Sequence, residues 1–311
     1  MPEFAVDPAL PPLSPFDLLH QHLRVVLVEP AGGLNVGAIA RVMKNMGLAR
    51  LMVVNPHCDV LGDEARQMAV HAVDLLETAT IVPSIPAALQ GCQRVVATSA
   101  RNRDLAIPVD APAAGLHWLL APLWTSGEVG AIAPNPASAI DAAIIFGPED
   151  RGLSNAELIH AQRLVMIPSS PAYASLNLAQ AVAICCYEAY RLAGEQDSVS
   201  AGQPEERAEK GEAIAPPSLE SSPPSPPPPL ASVDVLEGFY QQLETVLLDI
   251  GYLYPHTAQR RMEKFRLLFN KGQLTPNEVA MLRGILRQMT WATRSPPPLP
   301  QPTPPPNGPT P

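Results

Sequence analysis

The chain has 311 residues, nearly half of them apolar, with a formal net charge of −9, enough for one large or two modest hydrophobic cores. Its 38 prolines exceed twice the usual ~5% share, but eight fall between Pro216 and Pro229 and ten between Pro296 and Pro311, so the remaining parts have ordinary composition. No apolar run reaches the ~18 residues of a membrane span, Cys58, Cys92, Cys185 and Cys186 show no CxxC spacing, and the Pro-rich start lacks the basic-then-apolar pattern of a signal peptide; a cytoplasmic protein is expected.

Residues 1–20 read as a Pro-rich lead-in. Leu23 to Val28 is a short β-branched run, a buried strand, and turn residues at Glu29-Pro30-Ala31-Gly32-Gly33 lead to a helical pattern from about Asn35 to Met46, ended by Gly47. Leu51–Val54 is a second strand. Ala65–Leu76 reads as one helix, Val95–Ala97, Ile144–Phe146 and Leu164–Ile167 as further strands, and Leu176–Ala193 as a long helix. Strands alternating with helices predict an α/β domain over residues 21–194 with a mostly parallel sheet.

Residues 195–231 are acidic and then Pro/Ser-rich, and such a stretch buries too little apolar area to offset its ordering entropy, so a disordered linker is expected. Helical spacing returns at Val233, where Leu236, Phe239, Tyr240, Leu243, Val246 and Leu247 share a face. A second helix is expected near Thr257–Leu268. Thr275-Pro276-Asn277-Glu278 opens a third with Thr275 as N-cap, Pro276 at N1 and a capping box to Glu278. Residues 232–294 therefore form a small all-α domain, and residues 295–311 an extended tail.

Charge bears on the partner. A net −9 argues against nucleic acid, but the 195–220 stretch alone holds seven acids against Arg207 and Lys210, while 231–295 holds eight Lys/Arg against six Asp/Glu. Global charge governs solubility and not what a local patch binds. Arg24, Arg41, Arg101, Arg103 and the Arg260/Arg261/Lys264/Arg266 group are candidate phosphate contacts.

Three segments at strand ends carry candidate chemistry, where open parallel sheets place their sites. In Asn35-Val36-Gly37-Ala38-Ile39-Ala40-Arg41, Asn35 is a natural N-cap, Gly37 permits close backbone approach, and Arg41 either snorkels on the surface or faces a phosphate or reacting oxygen. Phe146-Gly147-Pro148-Glu149-Asp150-Arg151-Gly152-Leu153-Ser154-Asn155-Ala156-Glu157 is a two-glycine loop, long and charged for a plain turn, closing on a Ser154–Glu157 capping box. In Ile167 to Ala181, Ser175 and Asn177 stand at a helix mouth, as plain caps or as donors to a polar ligand. No GxGxxG follows a strand, and His57, Cys58 and Asp59 lack a second cluster to complete a metal site, so no metal is expected.

In this order the three segments resemble motifs 1, 2 and 3 of the SPOUT 2′-O-ribose methyltransferases, and are most similar to the tRNA (cytidine/uridine-2′-O-)-methyltransferase TrmJ family. Lys44-Asn45-Met46-Gly47-Leu48, Val53-Val54-Asn55-Pro56, Ala97-Thr98-Ser99-Ala100-Arg101 and the C-terminal helical unit add to the likeness, which covers about residues 22–194 and 233–294. A Gly/Ala/Pro-rich insertion at 122–140 and the long acidic linker depart from it. The resemblance implies a SPOUT α/β knot with a deep trefoil, a homodimer, and S-adenosyl-L-methionine as cofactor. Carried over by position, Thr98, Ser99, Ala100, Gly147, Ile167, Ser175, Leu176 and Asn177 surround the cofactor, and Arg41 is the catalytic residue. The implied substrate is tRNA, at a cytidine or uridine at position 32 of the anticodon loop. An rRNA ribose methyltransferase and a non-catalytic RNA-binding homologue are the alternatives.

Overall fold

In the computed structural model, residues 13–101, 105–124, 140–201 and 229–294 are described. The N-terminal domain runs α1 (Pro15–His22), β1 (Leu23–Val28), α2 (Gly33–Asn45), β2 (Arg50–Val54), α3 (Asp63–Ala69), α4 (Val73–Glu77), β3 (Thr80–Val82), α5 (Ile85–Ala88) and β4 (Cys92–Thr98). It continues with β5 (Val109–Asp110), α6 (Pro112–Trp124), β6 (Asp141–Phe146), α7 (Asn155–Leu158), β7 (Arg163–Val165) and α8 (Leu178–Ala201). Among the described residues the strands form one seven-stranded sheet in the order β3-β2-β1-β6-β4-β7-β5. Every pairing is parallel, as the alternation of strands and helices predicts. Late strands enter between early ones: β6 separates β1 from β4, and β7 lies between β4 and β5, an insertion in keeping with the trefoil threading the resemblance implies.

All six residues of β1 are buried, because helices cover both faces of the sheet. Leu23, Val25 and Leu27 face a core shared with α1, α2, α6 and α8, while Val26 and Val28 face a second core with α5 and α7. This is the period of two expected of a strand with two apolar sides.

Helix boundaries differ from the sequence reading in four places. The lead-in is not structureless to residue 20, since α1 starts at Pro15 under a capping box in which the Ser14 hydroxyl accepts from the Asp17 N–H at 3.1 Å and buries Leu18 and Leu19. Asn35 does not cap α2: Gly32 does, and Asn35 sits in the first turn with its amide committed to other segments. The single helix expected over 65–76 is two, broken at Val70 (φ 55°), where Lys44 donates to the His71 carbonyl at 2.8 Å and pairs with Asp74 at 2.7 Å. Helix α8 begins two residues later than expected and continues through Ala201, so the segment from 195 to 201 is helix and not linker. Residues 202–228, residues 125–139 of the insertion expected at 122–140, residues 1–12 and 295–311, and Arg103 lie outside the described residues, while Pro122 to Trp124 of that insertion end α6.

Helices α2 and α3 meet at Gly37. A Cβ there would stand 2.2 Å from the Ala65 carbonyl oxygen and 2.9 Å from Met68 Cβ, so the close approach read from sequence is between two helices. At the amino-terminal end of the sheet, the first turns of β1, β2 and β6 are pinned by Asp141. It accepts from Arg24 at 2.5 Å and Arg50 at 3.0 Å, with His22 Nδ1 at 3.1 Å. Arg24, 7% exposed, also donates to the carbonyls of Ala88 (3.0 Å) and Gln90 (2.7 Å). Both terminal nitrogens are thus held by the protein in a buried position, which removes Arg24 from the phosphate candidates. Burial alone would raise the Asp141 carboxyl, but the His22 hydrogen bond and the charges of Arg50 and Arg24 outweigh it and hold it below its usual range.

The C-terminal unit is α9 (Val233–Asp249), α10 (Pro255–Lys271) and α11 (Pro276–Arg294), packed around Phe239, Tyr240, Met262, Val279 and Leu286. The Thr275 box holds: Thr275 N–H donates to Glu278 at 2.8 Å and the Thr275 hydroxyl accepts from the Glu278 N–H at 3.3 Å. The unit docks on the sheet domain through Asp234, which accepts from the Gly91 N–H at 3.0 Å, and Asn270, which donates to the Ile159 carbonyl at 3.0 Å. Val233 joins the second core of the sheet domain. Arg266 is spent on Glu237 (2.7 Å) and stacks on Tyr240, so it too leaves the phosphate candidates.

Ala normally favours a helix over Gly by about 1 kcal/mol, so Gly37→Ala separates the two effects. Overpacking should make it less stable than the parent by about 1–3 kcal/mol in urea denaturation, and a gain in stability would show that α3 gives way freely. Asp141→Ala should cost on the order of 3 kcal/mol, because it leaves the buried Arg24 guanidinium without its carboxylate. The depressed Asp141 pKa adds a sign: its contribution is complete above the unfolded carboxylate value of about 3.9 and fades as pH falls through the lower folded value. Denaturation midpoints taken across acid pH should therefore converge for parent and variant.

Candidate functional site

At the carboxyl ends of β4, β6 and β7 the chain opens a cavity of about 350 Å³, within the size range of small-molecule sites. Thr98, Ser99 and Ala100 reach it from the end of β4, Gly147 from the end of β6, Ile167 after β7, and Ser175 and Leu176 from the approach to α8. Seven of the eight residues expected to surround a ligand thus share one cavity, and Asn177 does not line it. Phe146, Leu153, Val165 and Leu178 supply an apolar wall.

Local geometry accounts for these positions. A Cβ on Gly147 would lie 2.4 Å from the Leu153 N and 2.6 Å from the Gly152 carbonyl carbon, so only glycine lets the 147–153 loop close on itself. Gly152 takes φ +64°, the left-handed region that favours glycine. Thr98 is fixed by donating its hydroxyl to the Ile145 carbonyl at 3.1 Å. The loop is then clamped from outside by Arg151, which donates to Glu29 at 2.7 Å and to Glu157 at 2.9 Å. Glu29 itself stands at φ 47° at the end of β1, and Asn55 at φ 46° at the end of β2, two strained positions next to the site. This clamp was not visible in the sequence, where Arg151 reads as one more loop charge.

Behind the cavity a polar chain joins the three motif segments. Glu149 accepts from the backbone N–H of Ala31 (3.0 Å) and Gly32 (3.3 Å) and from the Asn35 amide (2.8 Å). Asn35 in turn accepts from the Asn177 amide at 3.0 Å. Asn177 also caps α8, its side-chain oxygen accepting from Ala179 N–H at 2.8 Å. Burial would raise the Glu149 carboxyl, but the hydrogen bonds from Ala31 and Asn35 outweigh it and keep it ionised. Asn35 and Asn177 are therefore brackets between segments, a role for which a capping signature in sequence gives no cue.

Arg41 lies on the exposed side of α2, one turn beyond Gly37, and does not line the cavity. Its side chain has no hydrogen bond or ion pair among the described residues. Arg101 is exposed at the cavity rim with an equally uncommitted guanidinium. Arg261 donates to the Tyr252 carbonyl at 3.1 Å and lies over its ring. Among the described residues no group of three His, Cys, Asp or Glu side chains is placed to hold a metal ion, and no helix is long and apolar enough to cross a membrane.

Comparison with known proteins agrees with this geometry. Residues 22–187 match the SpoU rRNA Methylase family, and residues 234–297 match the tRNA methyltransferase TrmJ C-terminal domain. The tRNA (cytidine/uridine-2′-O-)-methyltransferase TrmJ of Pectobacterium atrosepticum is 38% identical over 265 residues, covering 85% of this chain and 95% of that protein. The tRNA (cytidine/uridine/adenosine-2′-O-)-methyltransferase TrmJ of Pseudomonas aeruginosa is 36% identical over 272 residues, covering 88% and 95%. The crystal structure of TrmJ from Z. mobilis ZM4 superposes with a TM-score of 0.66 at 26% identity, covering 86% of this chain and 98% of that one. With both units matched in order and nearly the full length of its relatives spanned, the chain belongs to the SpoU methylase family, in its TrmJ branch.

Proposed function

We propose that this protein transfers the methyl group of S-adenosyl-L-methionine to a ribose 2′-hydroxyl of tRNA. The observation that carries the reading is the convergence of three distant segments on one cavity with an apolar wall and a polar rim, in a chain whose relatives bear tRNA 2′-O-methyltransferase names. The residues present fit the cofactor: the cavity joins an apolar wall that suits a purine to hydroxyl and charged groups at its rim. Thr98, Ser99, Ala100, Gly147, Ile167, Ser175 and Leu176 would hold it, with Asn177 acting from behind through Asn35 and the α8 cap. When bound, the cofactor supplies an electrophilic methyl on a sulfonium leaving group.

What remains for the protein is to align the ribose oxygen and ease loss of its proton. A guanidinium is ordinarily a poor base, with a pKa above about 12. Arg41 is accordingly assigned to hold the 2′-oxygen or the adjacent phosphate and to stabilise negative charge as it develops. Because Arg41 stands off the cavity wall on the exposed side of α2, the reading includes a homodimer. Exposed Leu34 on α2 and Tyr187 on α8, at 48% and 53%, give these two mutually packed helices an apolar outer surface for a second copy. The substrate site is assigned to a cytidine or uridine at position 32 of the anticodon loop, and the protein to the cytoplasm.

Arg41→Ala should reduce turnover about 10²–10³-fold while binding of S-adenosylhomocysteine by calorimetry stays at the parental level; near-normal turnover would remove Arg41 from the chemistry. Methylation of bulk tRNA and of rRNA in vitro, followed by nuclease and mass mapping, should place the new 2′-O-methyl at position 32 of tRNA. A product found in rRNA alone would replace the substrate assignment.

A further inference from the structure

Four charged side chains line the cavity: Arg101, Glu149, Asp150 and Arg151. Two are spent within the protein. Glu149 takes the N–H groups of Ala31 and Gly32 and the Asn35 amide, and Arg151 is divided between Glu29 and Glu157. Arg101 and Asp150 have no hydrogen bond or ion pair from their side chains among the described residues, and both are exposed at the rim. They come from adjacent strand ends, since Arg101 follows β4 and Asp150 follows β6, which pair in parallel with Ala97 opposite Ile145. One cationic and one anionic group thus face the same opening without a partner among the described residues, while Phe146, Leu153 and Val165 behind them are apolar.

An occupant complementary to both regions has an apolar aromatic body and a zwitterionic end. We propose that Arg101 and Asp150 clamp the α-amino-acid end of S-adenosylmethionine, Arg101 taking the α-carboxylate and Asp150 the α-ammonium. This rests on the cofactor reading above and adds a pair of binding residues to it. A guanidinium fork matches a carboxylate in shape and charge. An RNA phosphate would use Arg101 equally well but would be repelled by Asp150, so the pair of charges favours the amino-acid end over the backbone of a nucleic acid.

The test uses the full chain, Arg101→Gln and Asp150→Asn, and two probes: S-adenosylhomocysteine, and 5′-deoxy-5′-methylthioadenosine, which keeps the nucleoside and thioether but lacks the amino-acid end. By calorimetry each variant should bind S-adenosylhomocysteine roughly ten- to hundredfold more weakly, as loss of a charge-assisted hydrogen bond implies, and bind methylthioadenosine as the parent does. Parallel weakening of both probes would overturn the clamp in favour of a structural role. Unchanged S-adenosylhomocysteine binding with weakened tRNA binding for Arg101→Gln would overturn it in favour of a phosphate contact. A parent that binds neither probe would sink the cofactor reading itself, a result distinct from either variant outcome.

Discussion

The carboxylate of Glu149 holds the site together. It gathers two backbone N–H groups and one amide from the start of α2, and through Asn35 it reaches Asn177 at the start of α8. Glu149 and Asn35 are 114 residues apart, and Asn35 and Asn177 are 142 apart. Three chain segments that share no local contact are thereby set in one arrangement. Hydrogen bonds to an ionised, half-buried acceptor are stronger than those between neutral groups, and leaving any donor of this set unpaired would cost more than the bond contributes. Glu149 itself lines the cavity, so the network forms part of the cavity wall.

The two ends of the sheet divide the work. At the amino-terminal end, Asp141 gathers Arg24, Arg50 and His22 and pins three central strands. At the carboxyl end the strands stop early and the loops bend sharply, with Glu29, Asn55 and Gly152 in left-handed backbone and Gly147 where no side chain would fit. Apolar burial on both faces supplies the stability against which such strained loops are held. The helical unit docks near the amino-terminal ends, against Gly91 and Ile159, and leaves the cavity open.

Arginines show how tertiary context sorts one residue type into different roles. Arg24 and Arg266 are consumed by carboxylates in partly buried pairs, Arg151 fastens a loop, and Arg41 and Arg101 have no side-chain partner among the described residues. In the sequence all five look alike, as basic residues with no visible partner. Their fates follow from where Asp141, Glu237, Glu29 and Glu157 arrive in space, and none of these acids except Glu157 is near its partner in the chain.

Five of the seven strands, helices α2, α8, α9, α10 and α11, and the capping boxes at Ser154 and Thr275 were legible because each depends on spacing within about a turn of chain, whereas the short edge strands β3 and β5 and the helix α6 carried no such local signal. The order of the three motif segments was legible for the same reason, and with it the parallel sheet and the family. Other features depend on partners more than a hundred residues away: Asn35 as a bracket and not a cap, the Arg151–Glu29 arm of the clamp, and the removal of Arg24 from the candidate cations. Periodicity and capping are near-neighbour effects and can be read along the chain. Which donor meets which acceptor across a folded sheet is set by strand order, and the insertion of β6 and β7 between earlier strands is what decides it here.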